Sequence, residues 1–173
     1  MSDMETFSEI PYGLPGKIYR SVMPFSNYDR GQIVYQRYMQ HRVSCVVLLA
    51  DDQECLEESG LNLRSFYNEQ GLKVIYLPAM DKGVPDLAAL EEAVNTVQTE
   101  AQAGFHVAVH CHAGIGRTGL FAACLAVQVF GYSPVETLQW VRKFIPGAVE
   151  TDQQVKTVYN FARRVSKHRA LEA

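Results

Sequence analysis

The chain has 173 residues, a formal charge of −3, and a composition that is 47% hydrophobic and 20% charged. That length fits one domain over residues 1–173 that can bury a core without metal or disulfide staples. The mildly acidic balance argues against a nucleic-acid partner, whose footprint is basic. No long apolar span and no basic, apolar leader occurs, so a cytoplasmic protein without stable membrane association is expected. Four cysteines, Cys45, Cys55, Cys111 and Cys124, lack any framework spacing, which suits free thiols in a reducing compartment.

In chain order, Pro11, Pro15 and their turn-prone neighbours mark residues 1–16 as an extended lead-in. Lys17-Ile18-Tyr19-Arg20 reads as a first short strand, with Arg20 structural. Asp29 to Gln40 has a helical pattern, with Ile33, Tyr35 and Tyr38 among polar residues. Val43 to Leu49 is the most apolar run and reads as a central strand; Asp51 and Asp52 after it read as a turn or cap. Leu61 to Gln70 suggests a helix stopped by Gly71, and Val74 to Leu77 another strand. Strands alternating with helices predict an α/β fold, with one central, mostly parallel sheet flanked by helices on both sides.

Between Leu77 and Asp86, Pro78, Gly83 and Pro85 surround Asp81 in a loop at a strand's C-terminal end. Open α/β folds carry their sites at that edge. A carboxylic acid on a movable loop can hand a proton to a leaving oxygen, which nominates Asp81 over a plain solvated aspartate. Asp86 is the rival, but it is more simply the N-cap of a helix reaching Gln102. Leu87, Leu90, Val94 and Val97 give that helix one apolar face.

The most informative stretch is His110-Cys111-His112-Ala113-Gly114-Ile115-Gly116-Arg117-Thr118-Gly119. It follows Phe105 to Val109, a short run read as a buried strand, and precedes Leu120 to Val127, apolar throughout and read as a buried helix. A cysteine is therefore expected at a strand's end, in a loop that opens a helix. Unpaired N–H groups and the positive end of the helix dipole lie there. The amides of His112, Ala113, Gly114, Ile115 and Gly116 can wrap a tetrahedral oxyanion. Gly114 and Gly116 allow the backbone angles of such a wrap, and Arg117 adds a planar fork for two phosphate oxygens. The same field favours thiolate over thiol, and Thr118 is placed to donate its hydroxyl to the sulfur.

Two other readings compete. Gly114-Ile115-Gly116-Arg117-Thr118-Gly119 also fits the G-x-G-x-x-G dinucleotide fingerprint, but that needs a further strand where the pattern past Gly131 is helical. His110-Cys111-His112 offers metal-binding side chains, yet neighbours alternate in direction and no partner motif supports them, so no metal is expected. Further on, Ser133-Pro134 caps and opens a helix through Phe144, with Trp140 in the core. Pro146-Gly147 breaks the chain. Thr151 to Val165 forms a last amphipathic helix, leaving 166–173 as a tail with Lys167, His168 and Arg169 solvated.

His-Cys-x5-Arg-Thr resembles the signature of the cysteine-dependent protein tyrosine phosphatases, and the chain is similar to their small dual-specificity members. Pro78, Asp81 and Pro85 match that group's Pro-x-x-Asp-x-x-x-Pro acid loop, and Pro15-Gly16-Lys17-Ile18-Tyr19-Arg20-Ser21 resembles its lead-in. Pro146 to Gln154 is similar to its Arg-Pro-Gly-(Ala/Ser)-(Val/Ile)-x-Thr-x-x-Gln segment, with Ile145 where the group often has arginine. The resemblance implies a dual-specificity-phosphatase-like fold, phosphate binding by residues 112–117, and catalysis by Cys111, Asp81, Arg117, Thr118 and Gln154. Gln154 would help place the water that hydrolyses a phosphocysteine intermediate.

No cofactor is implied. Phosphoinositide phosphatases of this clan tend to place lysines inside the loop, where this chain has His112 and Ile115. The expected partner is therefore a phosphoprotein or phosphopeptide, phosphotyrosine first and phosphoserine or phosphothreonine after it, acted on by a monomer. The alternatives are an enzyme acting on phosphoinositides or inositol phosphates, and a non-catalytic phosphate-binding module.

Overall fold

The computed structural model describes residues 5–173. Its strands are β1 (Phe7–Ile10), β2 (Ile18–Ser21), β3 (Val43–Leu48), β4 (Lys73–Tyr76) and β5 (His106–His110). They form one sheet in the order β1-β2-β5-β3-β4, with β1 antiparallel to β2 and the other pairings parallel. Alternation along the strands decides the layers. Cys45, Val47, Val107 and Val109 face one side, and Val46, Leu48 and Ala108 the other. The first side is covered by α4 (Leu87–Gln102), α5 (Gly116–Phe130), α6 (Pro134–Phe144) and α7 (Asp152–Glu172). The second is covered by α1 (Val34–Gln40), α2 (Asp52–Ser59) and α3 (Leu63–Glu69). The α/β architecture expected from the alternation of elements is the one observed.

The helix α5 is buried from Gly116 to Val127 because α4, α6 and α7 enclose it, which is why its sequence is apolar on every face. Its start is fixed by β5, whose last residue directly precedes Cys111. Gly131 ends it in the left-handed conformation (φ 70°). Ser133 and Glu136 close a capping box on α6, with Pro134 in its first turn. Trp140 is partly buried in an aromatic cluster, its ring 5.1 Å from Tyr12, 5.2 Å from Phe130 and 5.0 Å from Phe144.

Several expectations change. The lead-in contains β1, because Pro11 stops the strand rather than preventing it, and residues 1–4 lie outside the described residues. The helix read over Asp29–Gln40 starts only at Val34. Gly31 and Gln32 adopt positive φ (79° and 52°), and the Asp29 carboxylate accepts from the N–H groups of Phe25, Ile33 and Val34. Asp51 is indeed a cap, but of α2, a helix whose residues are polar apart from Cys55 and Leu56. The segment 166–173 is not a separate tail: α7 continues to Glu172, held where His168 Nδ1 meets Glu91 at 2.9 Å and Arg169 donates to the Gln128 carbonyl at 2.8 Å.

Gly119 shows why the loop sequence ends on glycine. A Cβ there would lie 2.5 Å from the Ala148 Cβ and 2.8 Å from its Cα. That position packs α5 directly on the backbone of the 146–150 loop. We expect Gly119→Ala to destabilise the fold by about 2 kcal/mol, read as a drop of roughly 5 °C in the melting midpoint. An unchanged midpoint would show that the 146–150 loop can move away freely.

Candidate active site

Cys111 follows β5 immediately and is only 3% exposed. The Thr118 hydroxyl donates to its sulfur at 3.1 Å. The loop around it is shaped by donors from outside. The Met23 N–H donates to the His112 carbonyl at 2.9 Å. The Arg20 guanidinium donates to the Ala113 carbonyl at 3.4 Å and the Gly114 carbonyl at 2.9 Å. In a trans peptide the N–H points opposite to its carbonyl, so these bonds turn the amides that follow His112, Ala113 and Gly114 away from Met23 and Arg20. Gly114 has φ +73°, and a Cβ on it would strike the Ser21 carbonyl oxygen at 2.3 Å. Only glycine fits there.

Arg117 is also nearly enclosed, and its Nη1 and Nη2 donate to the two carboxylate oxygens of Glu54, each at 2.7 Å. Nη1 further donates to the Ala79 carbonyl at 2.9 Å. Asp81 Oδ1 lies 3.6 Å from Nη2, with the Asp81 side chain 75% exposed. Burial works against the Arg117 charge, but the Glu54 hydrogen bonds, the Cys111 sulfur and Asp81 outweigh it and raise its pKa. The structure thus brings Cys111, Arg117, Thr118 and Asp81 to one place. Asp86, the rival acid, accepts from the Ala89 N–H at 3.0 Å as the N-cap of α4.

Gln154 is fully buried. Its amide oxygen accepts from the N–H groups of Glu150 (2.8 Å) and Thr151 (3.4 Å), and the nitrogen donates to the Gly83 carbonyl at 3.1 Å. It ties α7 to the acid loop. The carboxylate that stands beside the anion loop is Glu150, whose Oε2 lies 2.4 Å from where a Cβ on Gly116 would sit. In place of an arginine at position 145, the buried Ile145 packs in the core, while Arg142 holds the carbonyls of Ala148 (3.0 Å) and Val149 (3.2 Å).

His112 Nε2 meets Glu58 Oε2 at 3.2 Å and Asn27 Oδ1 at 3.0 Å, and its ring lies edge-on to Tyr28. His110 is held inside the sheet. Its Nδ1 faces the Cys111 carbonyl at 2.8 Å and so must donate to it, which leaves Nε2 to accept from the Tyr67 hydroxyl at 2.7 Å. The remaining thiols are core residues. Burial pushes Cys45 and Cys55 up to about 12 and Cys124 higher still, so none is prepared for nucleophilic work.

A family model described as Tc-R-P, a DSP-PTPase phosphatase of polymorphic toxin systems, matches residues 27–130. The chain belongs to the DSP-PTPase phosphatase family. Among curated relatives, "Protein tyrosine phosphatase domain-containing protein 1" of Danio rerio is 34% identical over 107 residues, covering 61% of this chain but 15% of that protein. Among solved structures, PTPMT1 in complex with PI(5)P aligns with a TM-score of 0.74 at 20% identity, over 95% of this chain and 99% of that one. Tk-PTP in its active form aligns at 0.70 with 27% identity, over 86% and 93%. The phosphatase signature, from His110 to Gly119, lies inside the matched family region, as do Glu54 and Asp81.

Glu54, Arg20 and Glu150 are the contributors that sequence reasoning missed or undervalued. A weak signal existed for the first, since Glu54 and Glu58 share a helix face at i, i+4 spacing; both approach the loop from α2. Glu54→Ala leaves a buried guanidinium without its partner, so we expect a loss of about 3 kcal/mol in urea unfolding. Wild-type stability would contradict a structural pairing.

His110 gives a pH prediction. Burial pushes its imidazole down to about 4, with the Arg117 charge acting in the same direction. Between that value and the ordinary 6.5 the unfolded chain binds a proton that the folded chain refuses. Stability from this group is therefore present above pH 6.5 and lost as pH falls toward 4. We expect it to account for about 3 kcal/mol of the stability lost across that window. His110→Asn should shrink the loss by that amount, and equal losses in both proteins would refute the assignment.

Proposed function

We propose that the chain hydrolyses phosphomonoesters through a phosphocysteine intermediate, with phosphotyrosine in proteins as the preferred substrate and phosphoserine or phosphothreonine as further ones. The observation that carries this reading is the convergence at one loop. The Cys111 sulfur receives the Thr118 hydroxyl at 3.1 Å, and Asp81 stands 3.6 Å from the Arg117 guanidinium at the same loop's far end.

In this mechanism the ester phosphate docks among the loop amides and Arg117. The Cys111 sulfur attacks phosphorus as the P–O bond breaks, and Asp81 gives its proton to the departing oxygen. The loose transition state spreads charge over three oxygens, which the amides and guanidinium are placed to meet. Water then attacks the phosphocysteine and yields its proton to Asp81, releasing phosphate and restoring the sulfur anion. Glu150 and Gln154 bound the side of the loop nearest α7, where that water would be held. A nucleophilic thiol needs a reducing compartment, consistent with a cytoplasmic setting; among the described residues no helix is long and apolar enough to cross a membrane.

Charge at the mouth supports a phosphoprotein substrate. The loop interior carries no lysine, and the carboxylates of Glu58, Asp81 and Glu150 stand around it. A polyphosphorylated headgroup would meet like charge there. The second reading, a phosphoinositide phosphatase, has in its favour the fold shared with a structure bound to PI(5)P.

Two variants test the chemistry. Cys111→Ser should abolish turnover of p-nitrophenyl phosphate while retaining phosphopeptide binding, and substantial residual turnover would exclude covalent catalysis. Asp81→Asn should lower kcat by ~10²-fold or more on phosphotyrosine peptides, with a smaller loss on esters whose leaving group needs no proton. A loss that ignores the leaving group would remove Asp81 from the acid role.

A further inference from the structure

The sheet ends at β1, and beside that open edge lies a groove of about 760 Å³ between β1 and α1. Phe7, Tyr19, Tyr28, Ile33, Arg37 and Ala113 are among its lining residues. Ala113 belongs to the anion loop, and the Tyr28 ring packs against His112 of the same loop at 4.8 Å. The groove therefore borders the anion loop.

The edge carries its own recognition chemistry. The Val22 N–H donates to the Thr6 carbonyl at 3.0 Å, and the register pairs Phe7 with Ser21 and Glu9 with Tyr19. In an antiparallel ladder that bond fixes the alternation. Ser8 and Ile10 turn their backbone groups toward β2, and Phe7 and Glu9 turn theirs outward. Among the described residues no strand pairs with those outward groups. Phe7 stacks on Tyr19 at 4.7 Å beside them, and the Glu9 charge is already met by Lys17 at 3.1 Å. From α1, the Arg37 guanidinium donates to the Gln40 Oε1 at 3.5 Å.

We infer that this edge and groove receive the peptide segment flanking the phosphorylated residue, laid along β1 as an added strand with an acidic side chain on Arg37. The inference rests on reading residues 111–117 as the catalytic loop. An extended peptide presents alternating N–H and C=O groups that match the outward pairs of Phe7 and Glu9; a lipid headgroup or acyl chain has no such series. The four residues of β1 span ~13 Å, room for about four residues of substrate beside the phosphosite.

The test compares p-nitrophenyl phosphate with a ten-residue phosphotyrosine peptide carrying acidic residues on both sides. Glu9→Pro deletes an outward N–H without taking a bond from β2, and an edge tolerates proline. Glu9→Ala is its control, and Arg37→Glu reverses the charge at that position. We expect Glu9→Pro and Arg37→Glu each to lower peptide kcat/KM about fivefold or more. Glu9→Ala on the peptide, and all three variants on p-nitrophenyl phosphate, should stay within about twofold of wild type.

Equal losses on both substrates, or no loss on the peptide, would overturn the proposal. So would a loss confined to phosphoinositide vesicles, which would make the groove a lipid site. If wild-type protein turns over neither substrate, the catalytic reading fails by itself. Fluorescence-anisotropy binding of the same peptide then decides the groove: weaker binding by Glu9→Pro and Arg37→Glu supports it, and unchanged binding overturns it.

Discussion

One guanidinium under the anion loop sets its shape. Arg20 is 2% exposed, and burial pulls its pKa below the ordinary value. What offsets the burial is a set of carbonyls, those of Ala113 and Gly114 on the loop and Glu5 at the start of the described chain, together with the nearby Cys111 sulfur. The parallel register puts Arg20 beside Val109, two residues before the cysteine. The sheet order is therefore part of the site: without β2 next to β5, nothing would draw the loop carbonyls outward and free the amides for an oxyanion.

A second guanidinium faces the ligand side under different rules. Arg117 is held in plane by both oxygens of Glu54. A buried ion pair of this kind contributes little net stability, since desolvation consumes most of the Coulomb gain. What it supplies is orientation, keeping the arginine fork fixed before substrate arrives. Arg20 and Arg117 thus divide the labour, one shaping the backbone and the other, on the proposed mechanism, presenting charge to phosphate.

The parts of this arrangement that could be read from sequence are those written in local code. The Cys111–Arg117 spacing, the caps at Asp86 and Ser133, and the left-handed stop at Gly131 each rest on a few adjacent residues. The apolar runs of β3 and α5 announced burial directly. The polar helix α2 had no apolar period to reveal it, so Glu54 stayed hidden although its charge completes the site. The start of α1 was misplaced because Gly31 and Gln32 adopt left-handed backbone that periodicity does not report. The motif names Gln154 but not the contacts of its amide, which the folded positions of Glu150, Thr151 and Gly83 create.

Depth separates the two groups that the proposed mechanism pairs, Cys111 and Asp81. The sulfur lies at the floor, 3% exposed as part of Cys111, while the Asp81 carboxylate is open to solvent. The loop that carries Asp81 is held at three points by three different partners: Arg117 on the Ala79 carbonyl, Thr151 on that of Lys82, and Gln154 on that of Gly83. On the proposed mechanism a phosphoryl group bridging floor and rim points its leaving oxygen outward, toward Asp81 and the solvent. In that mechanism the departing group leaves beside Asp81, whose side chain is 75% exposed. Selectivity then falls to surfaces at the rim: the Glu150 carboxylate beside Gly116, and, around His112, Glu58 and the groove that Tyr28 lines.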